Sequence, residues 1–128
     1  MIISFNYKID FFHYIFYLLK TMKDIIFNNT HILIGQNASE NWQIIDDSSN
    51  AYYWFHLKSF PSCHVIVQSD DISQDLILYA AQLCKTHTKY KNLTNVKVSY
   101  TPISNITKGI DIGSVNFKSN RKVKNVTI

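Results

Sequence analysis

One tryptophan and two histidines, Trp54, His56 and His64, lie within a short stretch rich in β-branched and aromatic residues. Residues 52–57 and 63–67 have the composition of strands, and the Ser-Phe-Pro-Ser segment between them predicts a β-hairpin. Because side chains alternate along a strand, Trp54 and His56 share one face, and tight pairing brings His64 to them. A stacking ring beside two titratable donors suits ligand recognition, although ordinary sheet packing is the commoner role of such residues.

The flanking patterns predict the elements that hold this hairpin. Strands at 24–27 and 31–35 meet at an Asn-Asn-Thr turn, because Asn tolerates left-handed backbone. Asn37 is a suitable N-cap for a short helix over 38–47. Alternating apolar and polar residues predict three further strands, at 96–100, 114–118 and 122–128.

A second, longer helix is predicted from a Ser73 cap to about residue 89. Its stripe of sheet-facing positions recurs at three- and four-residue spacing: Leu76, Ile77, Ala80, Leu83, Cys84 and His87. Lys85 and Lys89 are expected on its solvent-exposed side. Because strands and helices do not alternate regularly, we expect a single α+β domain, with a mixed, mainly antiparallel sheet carrying one long and one short helix.

Charge is distributed unevenly along the chain. Residues 1–84 hold four Lys and eight acidic residues, a net charge of −4. Residues 85–128 hold eight Lys and Arg121 against Asp111 alone, a net charge of +8. Such a basic segment is typical of a protein with an anionic partner, nucleic acid first. A solvated lysine-rich face is the other interpretation. The excess of Lys over Arg favours it, because Lys has AT-rich codons and an AT-rich genome raises the Lys content without any binding function.

Five segments carry a family resemblance in their order along the chain. They are residues 35–41 (GQNASEN), 52–65 (YYWFHLKSFPSCHV), 80–83 (AAQL), 96–102 (VKVSYTP) and 113–117 (GSVNF). The second is similar to an Asp-x-Trp-Phe-His … Pro-Gly-Ser-His-Val signature, and the first to Gly-Arg-Asn-x-x-x-Asn. Together they resemble the NFACT RNA-binding domain, NFACT-R, of ribosome quality-control factors and of a shorter eukaryotic coiled-coil protein.

The resemblance implies an RNA-binding module in which Trp54 and His56 supply stacking and hydrogen bonding. Asn37, Asn41 and His64 are retained from the family pattern and are candidate contacts beside them. The candidate phosphate contacts are cations: Lys58, Lys85, Lys89, Lys91, Lys97, Lys108, Lys118, Arg121, Lys122 and Lys124.

Three positions depart from the family pattern. Its Asp before the tryptophan falls on Tyr52, its Arg after the first glycine on Gln36, and its Gly before Ser-His on Ser62. We therefore expect a stand-alone module that binds structured RNA such as tRNA or rRNA in a translation quality-control setting, with DNA as a second candidate. The alternative is a protein-interaction or adaptor domain that docks a protein partner through the Trp54–His64 hairpin.

No enzyme is expected, because the motifs for phosphate cradling, nucleophilic attack and zinc-peptidase chemistry are missing from the sequence. No cofactor or metal is expected either. The acidic pairs at 46–47 and 70–71 fall at helix ends or loops, where Asp is common. Cys84, three residues before His87, falls on the buried helix stripe, where free Cys behaves as a small apolar residue.

Residues 1–21 are expected to be an N-terminal extension, and residues 22–128 the domain itself. The apolar run at 9–19 is interrupted by polar residues and is too short to span a bilayer. No small-residue cleavage site follows it. With no membrane span expected, and cysteines too few for a disulfide framework, we expect an intracellular, cytoplasmic protein of an AT-rich host or virus.

Overall fold

Two asparagines with left-handed backbone make the first turn of the sheet. The φ angles of Asn28 and Asn29 are 52° and 59°, and they join β1 (Met22–Phe27) to β2 (Thr30–Gly35) as predicted. The computed structural model describes residues 22–128. The predicted extension at 1–21 lies outside the described residues, so the domain boundary stays a prediction.

A six-stranded antiparallel sheet forms the centre of the fold. Besides β1 and β2 it contains β3 (Tyr53–Leu57), β4 (Val65–Val67), β5 (Lys97–Pro102) and β8 (Lys124–Thr127). Two further strands, β6 (Ile106–Lys108) and β7 (Val115–Phe117), lie outside it. The strand order is β1-β2-β4-β3-β5-β8, and each neighbouring pair is antiparallel. β3 and β4 form the predicted hairpin, with Trp54 opposite Ile66. β6 and β7 pair separately as a two-stranded sheet, between 3-10 turns at Ile103–Asn105 and Asn120–Lys122.

The first helix, α1 (Ala38–Asp46), covers the face of the sheet that carries Trp54. Asn37 caps it as predicted, its side chain accepting from Glu40 N–H. Ile44 is fully buried and packs in one cluster with the indole. β6 contributes Ile106 to the same cluster. The Trp54 face is therefore covered by α1 and the β6–β7 sheet together.

The second helix, α2 (Gln74–Thr86), covers the opposite face and carries the larger core. Ser73 caps it as predicted, and the helix ends three residues before the predicted position. Ala80 and Cys84 are fully buried against sheet residues such as Phe55. Short alanine side chains let the helix approach the sheet closely, as the sequence indicates. Two helices on a mainly antiparallel sheet confirm the α+β prediction.

The prediction that Lys85 lies on the solvent-exposed side of α2 is wrong. Lys85 is only 8% exposed, and it follows the fully buried Cys84 at the end of the helix. The buried stripe is wider than the three- and four-residue spacing indicates, because Ala81 is buried as well. A lysine stem of four methylenes can pack in such a position while its ammonium reaches water. His87, assigned to the stripe, is exposed, and its Nδ1 lies 2.9 Å from the Leu83 carbonyl oxygen.

Candidate nucleic-acid interface

Trp54 and His64 are joined by a buried hydrogen bond between adjacent strands. The indole Nε1–H of Trp54 donates to Nδ1 of His64 over 2.9 Å, and the rings meet edge to face at 89°. An indole nitrogen is only a donor, so Nδ1 of His64 carries no proton. The neutral imidazole therefore bears its proton on Nε2. The predicted approach of these two side chains is confirmed.

Trp54 is almost completely enclosed in the fold. The side chain is 2% exposed, because α1 and the β6–β7 sheet cover its face of the main sheet. The ring of His56 lies parallel to it at 5.7 Å, and Phe117 meets it edge on at 5.6 Å. Trp54 is thus a core ring and offers no open surface for a stacked base. Whether it takes part in nucleic-acid binding stays a prediction.

The backbone on both sides of His64 is fixed by β2 and α1. The N–H of His64 donates to Oδ1 of Asn41 over 3.1 Å, and its carbonyl accepts from Gly35 N–H, also at 3.1 Å. A side-chain carbon at residue 35 would collide with Oδ1 of Asn41, so this close approach requires glycine. Asn41 positions His64, and Asn37 caps the helix that carries Asn41. Their direct contact with nucleic acid stays a prediction.

His56 lies opposite His64 across the hairpin, with the two ring centroids 5.3 Å apart. Its Nδ1 lies 2.6 Å from the carbonyl oxygen of Leu57 and donates to it. Burial lowers the pKa of His56, and hydrogen bonds to the carbonyls of Leu57 and Ser62 oppose this only in part. Burial also lowers the pKa of His64 to about 3, and the nearby His56 adds to the effect. Both imidazoles are neutral near pH 7, so they act as polar groups rather than as cations.

A cavity of about 640 Å³, the first cavity, opens above these rings. Its floor includes Trp54, His56 and the pair Ser99 and Asn125, in which the Ser99 hydroxyl lies 2.9 Å from the Asn125 side-chain oxygen. Its roof is the β6–β7 sheet, from which Phe117 projects with 36% of its surface exposed. The volume lies within the range of ~300–1,000 Å³ that is usual for small-ligand pockets.

A second cavity, of about 710 Å³, shares His56, His64 and Gly113 with the first. Residues that follow α2, including Lys89, line its far wall. Gly113 has a φ of 88°, and a Cβ at this position would lie 2.9 Å from Cα of Ala38. Only glycine lets the β6–β7 loop rest on the start of α1 in this way.

Side chains of α1 hold the β6–β7 sheet in place. The Nε1–H of Trp42 donates to the Ser114 carbonyl over 2.9 Å. Lys108 lies 2.8 Å from the Asp46 carboxylate and 5.2 Å from the centre of the Trp42 ring. Lys108, a predicted phosphate contact, is therefore engaged by an ion pair that positions the roof of the first cavity.

The predicted cations divide by position. Lys58 lines the first cavity and Lys89 the second. Lys85 is only 8% exposed, and its contact with phosphate stays a prediction. The remaining predicted cations are exposed: Lys91, Lys97, Lys118, Arg121, Lys122 and Lys124.

The strand register shows which of these cations share the face of the first cavity. Along β5, Val98 packs under α2, so Lys97 lies on the opposite, Trp54 face. Lys58 follows Leu57, which packs under α2, so by the same alternation Lys58 also lies on the Trp54 face. It is next to Lys97, because the Lys58 N–H donates to the Lys97 carbonyl over 2.9 Å. Asn125 faces the first cavity, so Lys124 points to the other side of β8.

Ser99, Asn125 and Phe117 are among the residues of the first cavity that the sequence did not indicate. Ser99 and Asn125 lie on neighbouring strands, and Phe117 lies on the roof. The signal for Ser99 is its small polar side chain between Val98 and Tyr100, because alternation puts it on the face opposite the apolar residues of that strand. Phe117 gives no such signal, because its place depends on how the β6–β7 sheet folds over the main sheet.

Residues 22–128 carry neither a cluster of metal-binding side chains nor a membrane-spanning helix. That part of the chain holds no group of three or more His, Cys, Asp or Glu side chains placed to share a metal ion. Its helices are too short or too polar to cross a membrane.

The family described as NFACT protein RNA binding domain matches residues 12–119 of this chain. The chain belongs to this family. Coiled-coil domain-containing protein 25 of Mus musculus is 30% identical over 106 residues, which cover 76% of this chain and 51% of that protein. The Rqc2 homolog RqcH of Bacillus subtilis strain 168 is 30% identical over 95 residues, covering 72% of this chain and 17% of that protein. The chain thus spans about half the length of the first curated relatives it matches. The resemblance drawn from the five segments is confirmed.

A solved structure shares the fold. The C-terminal part of the fibronectin/fibrinogen-binding protein from Streptococcus suis matches with a TM-score of 0.75 at 22% sequence identity. The match covers 83% of this chain and 44% of that one. At this identity the similarity establishes the fold alone.

Proposed function

We propose that this chain binds structured RNA, such as tRNA or rRNA, in a ribosome-associated or translation quality-control setting. The observation that carries the proposal is the position of the first cavity. It is built from the family-matching hairpin and opens on the sheet face that bears Lys58 and Lys97. Membership of a family described as RNA-binding supports the class of ligand, and the relative named as an Rqc2 homolog supports the setting.

The electrostatics around the first cavity support contact with a phosphate backbone. The basic segment passes directly beside it, because Asn120 and Val123 line the wall while Arg121 and Lys122 between them are exposed. Residues 85–128 carry a net charge of +8, and each cation placed on a phosphate releases condensed counterions. Phosphates would lie along the rim, and the neutral interior of the cavity would take another part of the nucleotide.

We propose a binding role without catalysis. His56 and His64 are the titratable side chains at the centre of the cavities, and burial lowers the pKa of each. Burial also raises the pKa of the neighbouring Cys63 thiol to about 11, which leaves it protonated and a poor nucleophile. These groups suit hydrogen bonding in a fixed arrangement better than proton transfer. A cytoplasmic location fits the proposed setting.

A protein-docking role is the second candidate, favoured by one observation. Ile110 is 99% exposed at the tip of the β6–β7 loop, and Ile112 beside it is largely exposed as well. Apolar side chains held out in this way are typical of contact surfaces. In that case the lysines serve solubility, and the hairpin surface binds a protein.

Binding of labelled tRNA and of duplex DNA, each over a salt series, distinguishes the two roles. An RNA-binding domain should bind tRNA, and the logarithm of its affinity should fall linearly with the logarithm of the salt concentration. It should bind duplex DNA of equal charge more weakly. Equal binding of both would favour general nucleic-acid binding. Binding of neither at low salt would contradict the proposal and favour the protein-docking role.

A further inference from the structure

His64 holds a hydrogen-bond donor that the described residues do not use. Its Nδ1 accepts from Trp54, so the proton of the neutral ring is on Nε2. Within residues 22–128, the His64 ring makes one hydrogen bond, at Nδ1, and no fully enclosed side-chain nitrogen or oxygen lacks a partner. The Nε2–H is therefore not fully enclosed by these residues, although His64 is only 3% exposed, and His64 lines both cavities.

The walls around this donor favour a flat, uncharged group. Val115 and Val123 line the first cavity together with Phe117, which is 36% exposed. A phosphate placed among them would lose hydration against apolar walls and would meet neutral imidazoles. A nucleobase has flat apolar faces, and its edge presents carbonyl or ring-nitrogen acceptors.

We infer that the first cavity takes one unpaired nucleobase of the bound RNA, whose edge accepts the His64 Nε2–H while its face packs on Phe117. This inference rests on the proposed RNA-binding function and adds the kind of nucleotide that the site takes. Lys58, at the same cavity, and Lys97 beside it would meet the flanking phosphates. A base within a duplex already uses its edge for pairing and both faces for stacking, so paired RNA does not satisfy the site.

A pair of charge-matched RNAs tests the inference on the unmodified full chain. The first is a stem-loop with a four-nucleotide loop, and the second has the same stem and backbone with abasic residues in the loop. Loss of the loop bases should weaken binding by about tenfold or more, the scale of base–aromatic contacts. The dependence of affinity on salt should be the same for both RNAs, because the phosphates are unchanged.

Two variants and a matched control assign the effect to the cavity. His64→Asn keeps an acceptor for Trp54 and removes the Nε2–H, so its preference for the base-bearing loop should fall by about 3- to 10-fold. Phe117→Ala should reduce the preference as well, and because 36% of Phe117 is exposed, its truncation disturbs the fold less than truncation of the enclosed Trp54. His31→Asn is the control, because His31 is exposed on β2 and pairs with Asp24 away from both cavities.

The outcomes separate this inference from the proposed function. A base preference that falls in His64→Asn and Phe117→Ala but not in His31→Asn supports the inference. Equal, salt-dependent affinity for the two RNAs overturns it and leaves RNA binding in place. A base preference that both cavity variants retain in full also overturns it. Failure of every RNA to bind overturns the proposed function and this inference together.

Discussion

Trp54 and His64 form a buried polar pair in which the indole N–H lies 2.9 Å from the imidazole Nδ1. Elements distant in sequence meet at this pair, since Asn41 of α1 holds the His64 backbone and Phe117 of β7 covers the indole. Each partner is enclosed, so removing one leaves the other without a hydrogen bond. The pair therefore contributes to the stability of the fold and fixes the proton on the cavity side of His64.

Removing the indole donor should destabilise the fold. Trp54→Phe keeps an aromatic ring but leaves Nδ1 of His64 unpaired, and it should cost ~1–3 kcal/mol of the free energy of unfolding. Trp54→Ala also leaves a void and should cost ~3–5 kcal/mol. Denaturant titration measures both. Ile110→Ala, at a fully exposed position, is the control and should change the value by less than ~0.5 kcal/mol. Wild-type stability in Trp54→Ala would contradict the buried position of the ring.

The free energy of unfolding should depend on pH through the two histidines. In the unfolded chain they titrate near 6.5, whereas burial lowers the pKa of His64 to about 3 in the fold and lowers that of His56. Below pH 6.5 the unfolded state binds more protons. Stability is therefore highest above that pH and falls as the pH drops toward 3, with His64 contributing a slope of ~1.4 kcal/mol per pH unit.

Denaturant titrations at a series of pH values between about 5 and 7 measure this slope. His64→Asn removes the titrating group and should make the slope shallower, while Ile110→Ala, which removes no titratable group from an exposed position, should leave it unchanged. An equally steep slope in His64→Asn and wild type would mean that His64 titrates normally in the fold.

Lys85 and Lys89 should differ in RNA binding although only four residues separate them, because Lys85 lies in the last turn of α2 and Lys89 follows the helix. Lys89 is exposed at the second cavity, so Lys89→Gln should weaken binding and lower the salt slope by ~0.7–0.9. Lys85 is buried, so Lys85→Gln should leave the slope unchanged. Filter binding over a salt series measures both slopes. Equal losses from the two variants would contradict the assigned exposures.

The elements of this fold that are determined by residues adjacent in the sequence were predictable. Asn28 and Asn29 mark their turn, Asn37 and Ser73 mark the starts of the two helices, and residues 52–67 form the hairpin as expected. Each signal is local, because a cap or a turn needs only a few adjacent residues of the right type. Alternation within the hairpin also placed the three aromatic side chains of the site on one face.

The features that were not predictable depend on contacts between distant segments. Alternation gives the face on which Trp54 lies but not what covers it, and residues 106–117 fold over that face from far along the chain. The burial of Lys85 likewise depends on the surroundings of the end of α2 rather than on its own spacing. Phe117 enters the cavity because Trp42 and Lys108 anchor the β6–β7 sheet to α1, a contact that no local pattern indicates.

The salt dependence of tRNA binding, compared between wild type and one multiple variant, tests the RNA-binding claim most directly. The variant changes three exposed cations beside the first cavity to glutamine: Lys118, Arg121 and Lys122. Lys23→Gln is the control, because Lys23 is exposed on β1 at the opposite edge of the sheet. We predict that the triple variant binds more weakly and that its slope of log affinity against log salt falls by roughly 2 to 3, at ~0.7–0.9 per lost contact. The Lys23→Gln slope should stay unchanged. Unchanged slopes in both variants, or no tRNA binding by the wild-type chain, would contradict the proposed interface.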